Sequence, residues 1–297
     1  MDNKKNVLAQ SIDPAKLKKY WDDAIAALDK VATILDGLAQ TTKTLEFVPY
    51  SVSIPVMAAA LLKLGYLSKK IDERAPIERK IRLYFLYTAF GRRYGEGAPN
   101  KMKQDYEALT NWITIGKVVN KEGKADNVFK SVIEWKYEDL KKLPKSDHTS
   151  VSNAIRCLFY HKHPTDLLTN NVVKLDTKNQ HHLFPEDYYK GQFGSVDSIF
   201  NIAYIEAETN NKILNHSIPD YSLTIAEKVG ESTYRNNLKS HYIEGETLDA
   251  FISEDYPKFI KLRSEAIKNE LITAYGAEVI DVEGEGGESG ETEEEDE

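Results

Sequence analysis

"NNVVKLDTKNQHHLFPEDYY", residues 170 to 189, decides how the chain is read, because it interrupts a sequence that is otherwise helical in pattern. The run from Asn170 to Gln180 has the β-branched residues and alternation of a strand. It delivers two adjacent histidines, His181 and His182, to its end, and Pro185 closes it. The chain contains only seven histidines, so two side by side at a strand end call for an explanation.

Outward from this stretch the text is helical. Asp13 and Pro14 form a helix-opening pair, and Ile25, Leu28, Val31, Leu35 and Leu38 follow at helical spacing until Gly37 disturbs the pattern. "RKIRLYFLYTAFGRRYG" places Leu83, Tyr87, Phe90 and Tyr94 on one stripe, and "KMKQDYEALTNWI" does the same with Met102, Tyr106, Leu109 and Ile113. "SVSNAIRCLFYHKH" reads as one more helix, with Pro164 beyond its end. After the histidines, "FNIAYIEA" is a second short β-type run, "ETNNKILNH" a short helix, and "KFIKLRSEAIKNELITAYG" a long one. The expectation is a mainly α (α+β) fold, a helical domain with a small strand–strand–helix unit embedded in it. Its boundaries are 1–145 for the N-terminal helical region, 146–225 for the unit, 226–277 for a C-terminal helical region packing back on the first, and 278–297 for a disordered acidic tail.

Composition narrows the classes. At 297 residues and 41% hydrophobic, the chain can bury a sizeable core. Cys157 is the single cysteine, which excludes an internal disulfide framework and a cysteine-rich zinc site. The longest apolar stretch, "VSIPVMAAALLKLGYL", contains Pro55 and Lys63 and falls short of a span of about 20 residues. No signal-peptide-like start is present, so the expectation is a cytoplasmic protein with no membrane partner. The net charge of −8 conceals an uneven distribution. Residues 278–297 carry eleven acidic and no basic side chains, leaving 36 acidic against 39 basic residues in 1–277, a body of net charge +3. A tail of Gly, Ser, Thr and like charges cannot bury enough apolar surface to fold.

The order His181-His182, Asn201, Asn210, on strand, strand and helix, resembles the HNH-like ββα-metal (His-Me finger) nuclease site. "HHLFP", "SIFNIAYI", "TNNKI" and "PDY" in that order resemble the C-terminal nuclease domain of the GmrSD family of restriction endonucleases. "VPYSVSIPVMAAAL", "FLYTAFGRRYG", "KMKQDYEAL", "LKSHYI" and "YPKFIKLRSEAI" resemble the flanking helical region of that family, so the likeness runs from about Trp21 to Tyr275.

The resemblance implies a divalent-metal-dependent DNA endonuclease or nickase acting in restriction of foreign or modified phage DNA, an antiviral defence. It implies His182 as catalytic general base, His181 and Asn210 as ligands of Mg²⁺ or Mn²⁺, and Asn201 as the residue that braces the loop of the finger. The inverted assignment of the two histidines is the alternative, since neighbours on a regular strand point to opposite faces. Asn211 is a second candidate for the role of Asn210, and Lys212 beside it is a further site candidate. Arg92 and Arg93 belong to a basic group with Arg79, Lys80 and Arg82, interleaved with Tyr84, Tyr87 and Tyr94, that is expected either to contact the DNA backbone or to form core and a solvated face. Two departures from the family stand out. "FNIAYI" lacks the Gly-Asn-Leu-Thr text common at the second strand, and no ParB-like nucleotide-hydrolysing signature precedes the helices. A separate ParB-like NTPase subunit, or a missing N-terminal domain, is therefore an expected partner. The competing reading is a catalytically weak DNA-binding subunit that needs that NTPase for activity. In "CLFYHKH", Cys157, His161 and His163 match no zinc-finger spacing and are expected to be a buried cysteine with surface histidines; His216 and His241 are expected to be structural.

Overall fold

The computed structural model describes residues 13–39, 48–173, 180–214 and 216–283. Helix α1 (Pro14–Ala39) opens where the sequence signals it: Asp13 accepts the Ala15 N–H through Oδ1 and the Leu17 N–H through its carbonyl. Its buried stripe is Ala27, Val31, Ile34, Leu35 and Leu38, whereas Ile25 and Leu28 remain exposed, so the inward face is rotated from the expected one. Helices α2 (Ser53–Lys63) and α3 (Ile71–Phe90) pack against α1, and α4 (Ala98–Ile115) packs against α2 and α3. Along α3, Ile77, Ile81, Tyr84, Phe85 and Tyr87 are all buried, which places the tyrosines in the core rather than on a binding face.

Helix α6 (Ser150–His161) lies at the centre, following a short strand β1 (Ile133–Trp135) and a single-turn α5 (Tyr137–Leu140). It contacts α1, α3 and the long helix α12 (Tyr256–Thr273), and every residue from Ser150 to Tyr160 is buried. The Thr149 hydroxyl caps its start by accepting the Ser152 N–H. A helix buried on all sides must have each polar side chain matched internally, and Arg156 shows how: its guanidinium donates to the Ser152 hydroxyl, the Asn153 carboxamide, the Lys145 carbonyl and the Gln180 side chain.

The strand–strand–helix text folds as β2 (Gln180–His182), β3 (Ile202–Tyr204) and α8 (Ala207–Ile213), with α7 (Glu186–Phe193) inserted between the strands. The strands pair antiparallel, His181 opposite Ala203 and His182 opposite Ile202. Residues 174–179 of the first β-type run lie outside the described residues. Helices α9 (Ile218–Val229), α10 (Glu231–Lys239) and α11 (Glu246–Ile252) complete the C-terminal part. One continuous cluster of buried apolar side chains runs from Ala27 to Ala277, so the three folded regions share a core instead of forming separate bodies.

The chain ends differently from expectation. Val279–Asp281 forms β4, parallel to β1, with Glu278 N–H donating to the Tyr87 hydroxyl. The acidic segment expected to be tail from residue 278 thus begins with a strand; the remainder, 284–297, lies outside the described residues. Gly276 permits this return: at φ +65° it leaves room for the Arg79 guanidinium, which a Cβ would meet at 2.0 Å. No helix among the described residues is long and apolar enough to cross a membrane.

Burial also sets a pH limit on this core. His241 is enclosed, donates through Nε2 to the Thr165 carbonyl, and its Nδ1 has no hydrogen-bond partner among the described residues. Desolvation pushes its pKa down to about 4. The unfolded chain takes up a proton near pH 6.5, so this contribution to stability is intact above that pH and is lost as pH falls towards 4. His241→Gln keeps a donor to Thr165 and removes the titration. Urea midpoints at pH 7 and 4.5 should show that it relieves about 2–3 kcal/mol of the wild-type loss; equal losses in both proteins would refute the account.

Candidate active site at the strand–strand–helix unit

The loop between β2 and β3 is closed by one side chain. Asn201, fully buried in the 3₁₀ turn before β3, accepts the Phe184 N–H at 2.9 Å and donates to the carbonyls of Phe184 (3.1 Å) and Val196 (2.8 Å). The Leu183 N–H adds a bond to the Asn201 carbonyl. A carboxamide suits this position because it offers a donor and an acceptor in one plane. The bracket forces the chain to turn immediately after His182, where Pro185 then starts α7. His181 and His182 are the last two residues of β2, and both are paired with β3, so strand alternation applies to them.

His182 directs Nε2 at Asp197 Oδ1, 3.0 Å away, and its side chain is 9% exposed. Its other ring nitrogen, Nδ1, makes no hydrogen bond with a described residue. The same Asp197 oxygen accepts the Lys145 N–H at 2.8 Å, which fixes the carboxylate. Burial, then the Lys145 charge, lowers the His182 pKa, while the bond to Asp197 opposes the shift. For His181 burial, again followed by Lys145, pushes the value down to about 4, with Asp166 opposing. Both rings are therefore neutral at pH 7, and both feel the same lysine.

Helix α8 is held by a buried carboxylate from elsewhere in the chain. Asp166 Oδ2 accepts the Glu206 N–H at 2.6 Å, and its Oδ1 accepts the Thr209 hydroxyl along with the N–H groups of Leu168 and Thr169. Asp166 thereby caps α8 across tertiary space, satisfying donors that a helix start leaves open, and it is the acidic group nearest in effect to His181. Asn210 sits on this helix, half-buried, and its side-chain amide makes no hydrogen bond with a described residue. Asn211 and Lys212 are exposed beside it.

The paired strands and their loop bring His181, His182 and Asn201 together, Asn210 lies on the helix that follows, and the arginines lie elsewhere. Arg93, expected on a DNA backbone, forms a two-pronged ion pair with the buried Asp105, Nη2 to Oδ1 at 2.8 Å and Nε to Oδ2 at 3.0 Å, and also donates to the Asn127 carbonyl. Its charge is paired internally by a buried carboxylate. Arg92 is exposed at φ +48° on the rim of a cavity of about 550 Å³ that none of the histidines lines. Arg79, Lys80 and Arg82 donate to the backbone carbonyls of Tyr275, Trp112 and Ile34. Cys157 is fully buried, and desolvation pushes its pKa to about 12. His161 lies 3.5 Å from Glu270, half-buried rather than fully on the surface.

Sequence reasoning missed Asp197, Lys145 and Asp166. Asp197 lies four residues before Asn201 in a turn, where an aspartate is unremarkable; its partnership with His182 exists only in three dimensions. As for a metal, no three His, Cys, Asp or Glu side chains among the described residues converge to hold one. A cation at this unit would rest on the neutral imidazole of His181 and the uncommitted amide of Asn210, donor types that Mg²⁺ or Mn²⁺ accept when water and phosphate complete the shell. The donor set fits in kind.

No family model, curated protein or solved structure matches the chain.

Two variants probe this geometry without reference to activity. Asn201→Ala takes away the side-chain partner of the Phe184 N–H and of the Phe184 carbonyl, and one of two donors to the Val196 carbonyl, and should cost about 2–4 kcal/mol in urea unfolding. Asp197→Asn removes the group that raises the His182 pKa, so an NMR titration should find that pKa lower still than in the wild type. An unchanged or higher value would mean that the pair does not exist in solution.

Proposed function

We propose that the chain is a divalent-metal-dependent phosphodiesterase acting on DNA, an endonuclease or nickase of the ββα-metal kind, serving restriction of foreign DNA. The observation that supports this most directly is the Asn201 bracket, which ends β2 at His182 and leaves a neutral imidazole oriented by a carboxylate. Hydrolysis of a phosphodiester needs a base for water, positive charge near the phosphoryl oxygens and assistance to the leaving oxygen. In this reading His182 Nδ1 accepts the proton from water, while Asp197 holds Nε2–H and stabilises the ring once it is charged. Lys145, whose charge reaches both histidines, offers the positive field for the phosphate. A bound Mg²⁺ or Mn²⁺, held by His181 and Asn210, would polarise the phosphoryl group and stabilise the departing oxygen.

The assignment predicts a pH profile as well as a mutant series. Because the His182 pKa is lowered, the basic form persists below pH 6.5, so the rate should hold through mildly acidic pH and fall only as the lowered pKa is approached. Nicking of supercoiled plasmid with Mg²⁺ or Mn²⁺ should drop about 10²–10⁴-fold in His182→Ala. His181→Ala and Asn210→Ala should instead raise the metal concentration at half-maximal rate, and Mn²⁺ binding followed by electron paramagnetic resonance should weaken in parallel. Near-wild-type nicking by His182→Ala would sink the role of the base; DNA binding without cleavage by the wild type under any metal would favour the DNA-binding-subunit reading.

A further inference from the structure

A second feature adjoins the histidine site on the far side of Asp197. There a cavity of about 470 Å³ is lined by Tyr137 and Lys141 of the segment around α5, by Lys142, by Phe193 at the end of α7, by Tyr256 at the start of α12, and by Asp197 itself. Its volume falls in the ~300–1,000 Å³ range of small-ligand sites. The three rings are half-buried. Phe193 and Tyr256 sit 5.6 Å apart, and both pack on Phe184, at 6.5 and 5.1 Å, so their orientation is set by the core. Tyr137 faces them from another element, with the Lys141 ammonium 5.3 Å above its ring.

Charge runs in a line past this cavity. Lys141, Lys142 and Lys145 lie on the one connection between α5 and α6, and among the described residues only Lys141 has an acidic partner, Glu138 at 2.5 Å. Lys142 is exposed with no ion pair to a described residue, and Lys145 stands at the histidines. Asp197, the carboxylate in the cavity wall, is engaged with His182 and the Lys145 N–H. Fixed aromatic faces beside unpaired lysines are the pairing that single-stranded nucleic acid recognition uses, stacking for bases and ammonium groups for phosphates.

We infer that this cavity seats a nucleobase of the strand whose phosphate lies at the histidine pair, with Tyr137, Phe193 and Tyr256 as stacking walls and Lys142 on the adjoining phosphate. The assignment rests on the phosphodiesterase reading for the direction of the strand, and it makes the cavity the place where the substrate strand is held in register.

The test compares binding of a short oligothymidylate and the equal-length abasic deoxyribose phosphate backbone to the full chain, in EDTA so that no cleavage occurs. Both ligands carry the same phosphates, so the difference reads the base. The oligothymidylate should bind about tenfold tighter or more, from the stacking of one base. Tyr137→Ala should abolish the preference, and Lys142→Glu should weaken both ligands by a similar factor. Tyr137→Leu, which keeps apolar bulk and lacks an aromatic face, gives the same reading if the alanine variant does not fold. Equal wild-type affinity for the two ligands, or a preference that survives both Tyr137 variants, overturns the proposal. A protein that retains the preference yet never nicks DNA loses the nuclease reading and keeps the pocket; one that nicks without the preference loses the pocket alone.

Discussion

A buried guanidinium holds the parts of this molecule in place. Arg156, in the middle of a helix with no exposed face, has no ion pair among the described residues, and burial lowers its pKa. A charge in that position is tolerable only if its donors are matched by oriented oxygens. Those oxygens come from its own helix, from the Lys145 carbonyl and from Gln180. The last two lie on either side of the candidate site, so satisfying Arg156 places Lys145 and the start of β2 relative to α6. Arg263 does similar work from α12: it lies over the Phe159 ring at 4.8 Å and donates to the carbonyls of Phe200 and His241, with its pKa lowered to about 9 by burial. Its hold on Phe200 fixes the residue just before Asn201.

The site hangs from these anchors through polar side chains, and apolar packing has a smaller part. Asn201 closes the loop, Asp197 orients His182, and Asp166 caps the helix that carries Asn210. Each is a group whose own hydrogen-bonding demands are met only in one arrangement, which makes such networks specifying as well as stabilising. The apolar core supplies the bulk of the burial. The buried polar residues decide where the two strands and the short helix sit within it.

The basic surface is smaller than the sequence suggests. Of the cluster expected near nucleic acid, Arg93 is bound to Asp105, and Arg79, Lys80 and Arg82 close contacts with backbone carbonyls. The lysines between α5 and α6 are less conspicuous in the sequence, yet Lys145 acts on both histidines and Lys141 and Lys142 line the cavity at Asp197. A run of basic residues shows charge; which of them remain unpaired depends on what the fold brings against each one.

The sequence by itself determined the helical class, because apolar spacing of 3.6 residues and caps such as Asp13–Pro14 are local properties. The change to β-type text is local too, and short strands do form at Gln180–His182 and Ile202–Tyr204. The sequence could not determine the inward face of α1, where Ile25 and Leu28 stay exposed while Ala27 and Ile34 are buried, because that face is chosen by the helices packed on it. Nor could it reveal β1 and β4, two three-residue strands more than a hundred residues apart whose pairing is a tertiary event. The partners of the histidines were hidden for the same reason. Asp197, Lys145 and Asp166 are ordinary turn and loop residues in the sequence, and only the folded chain sets their charges and hydrogen bonds around His181 and His182.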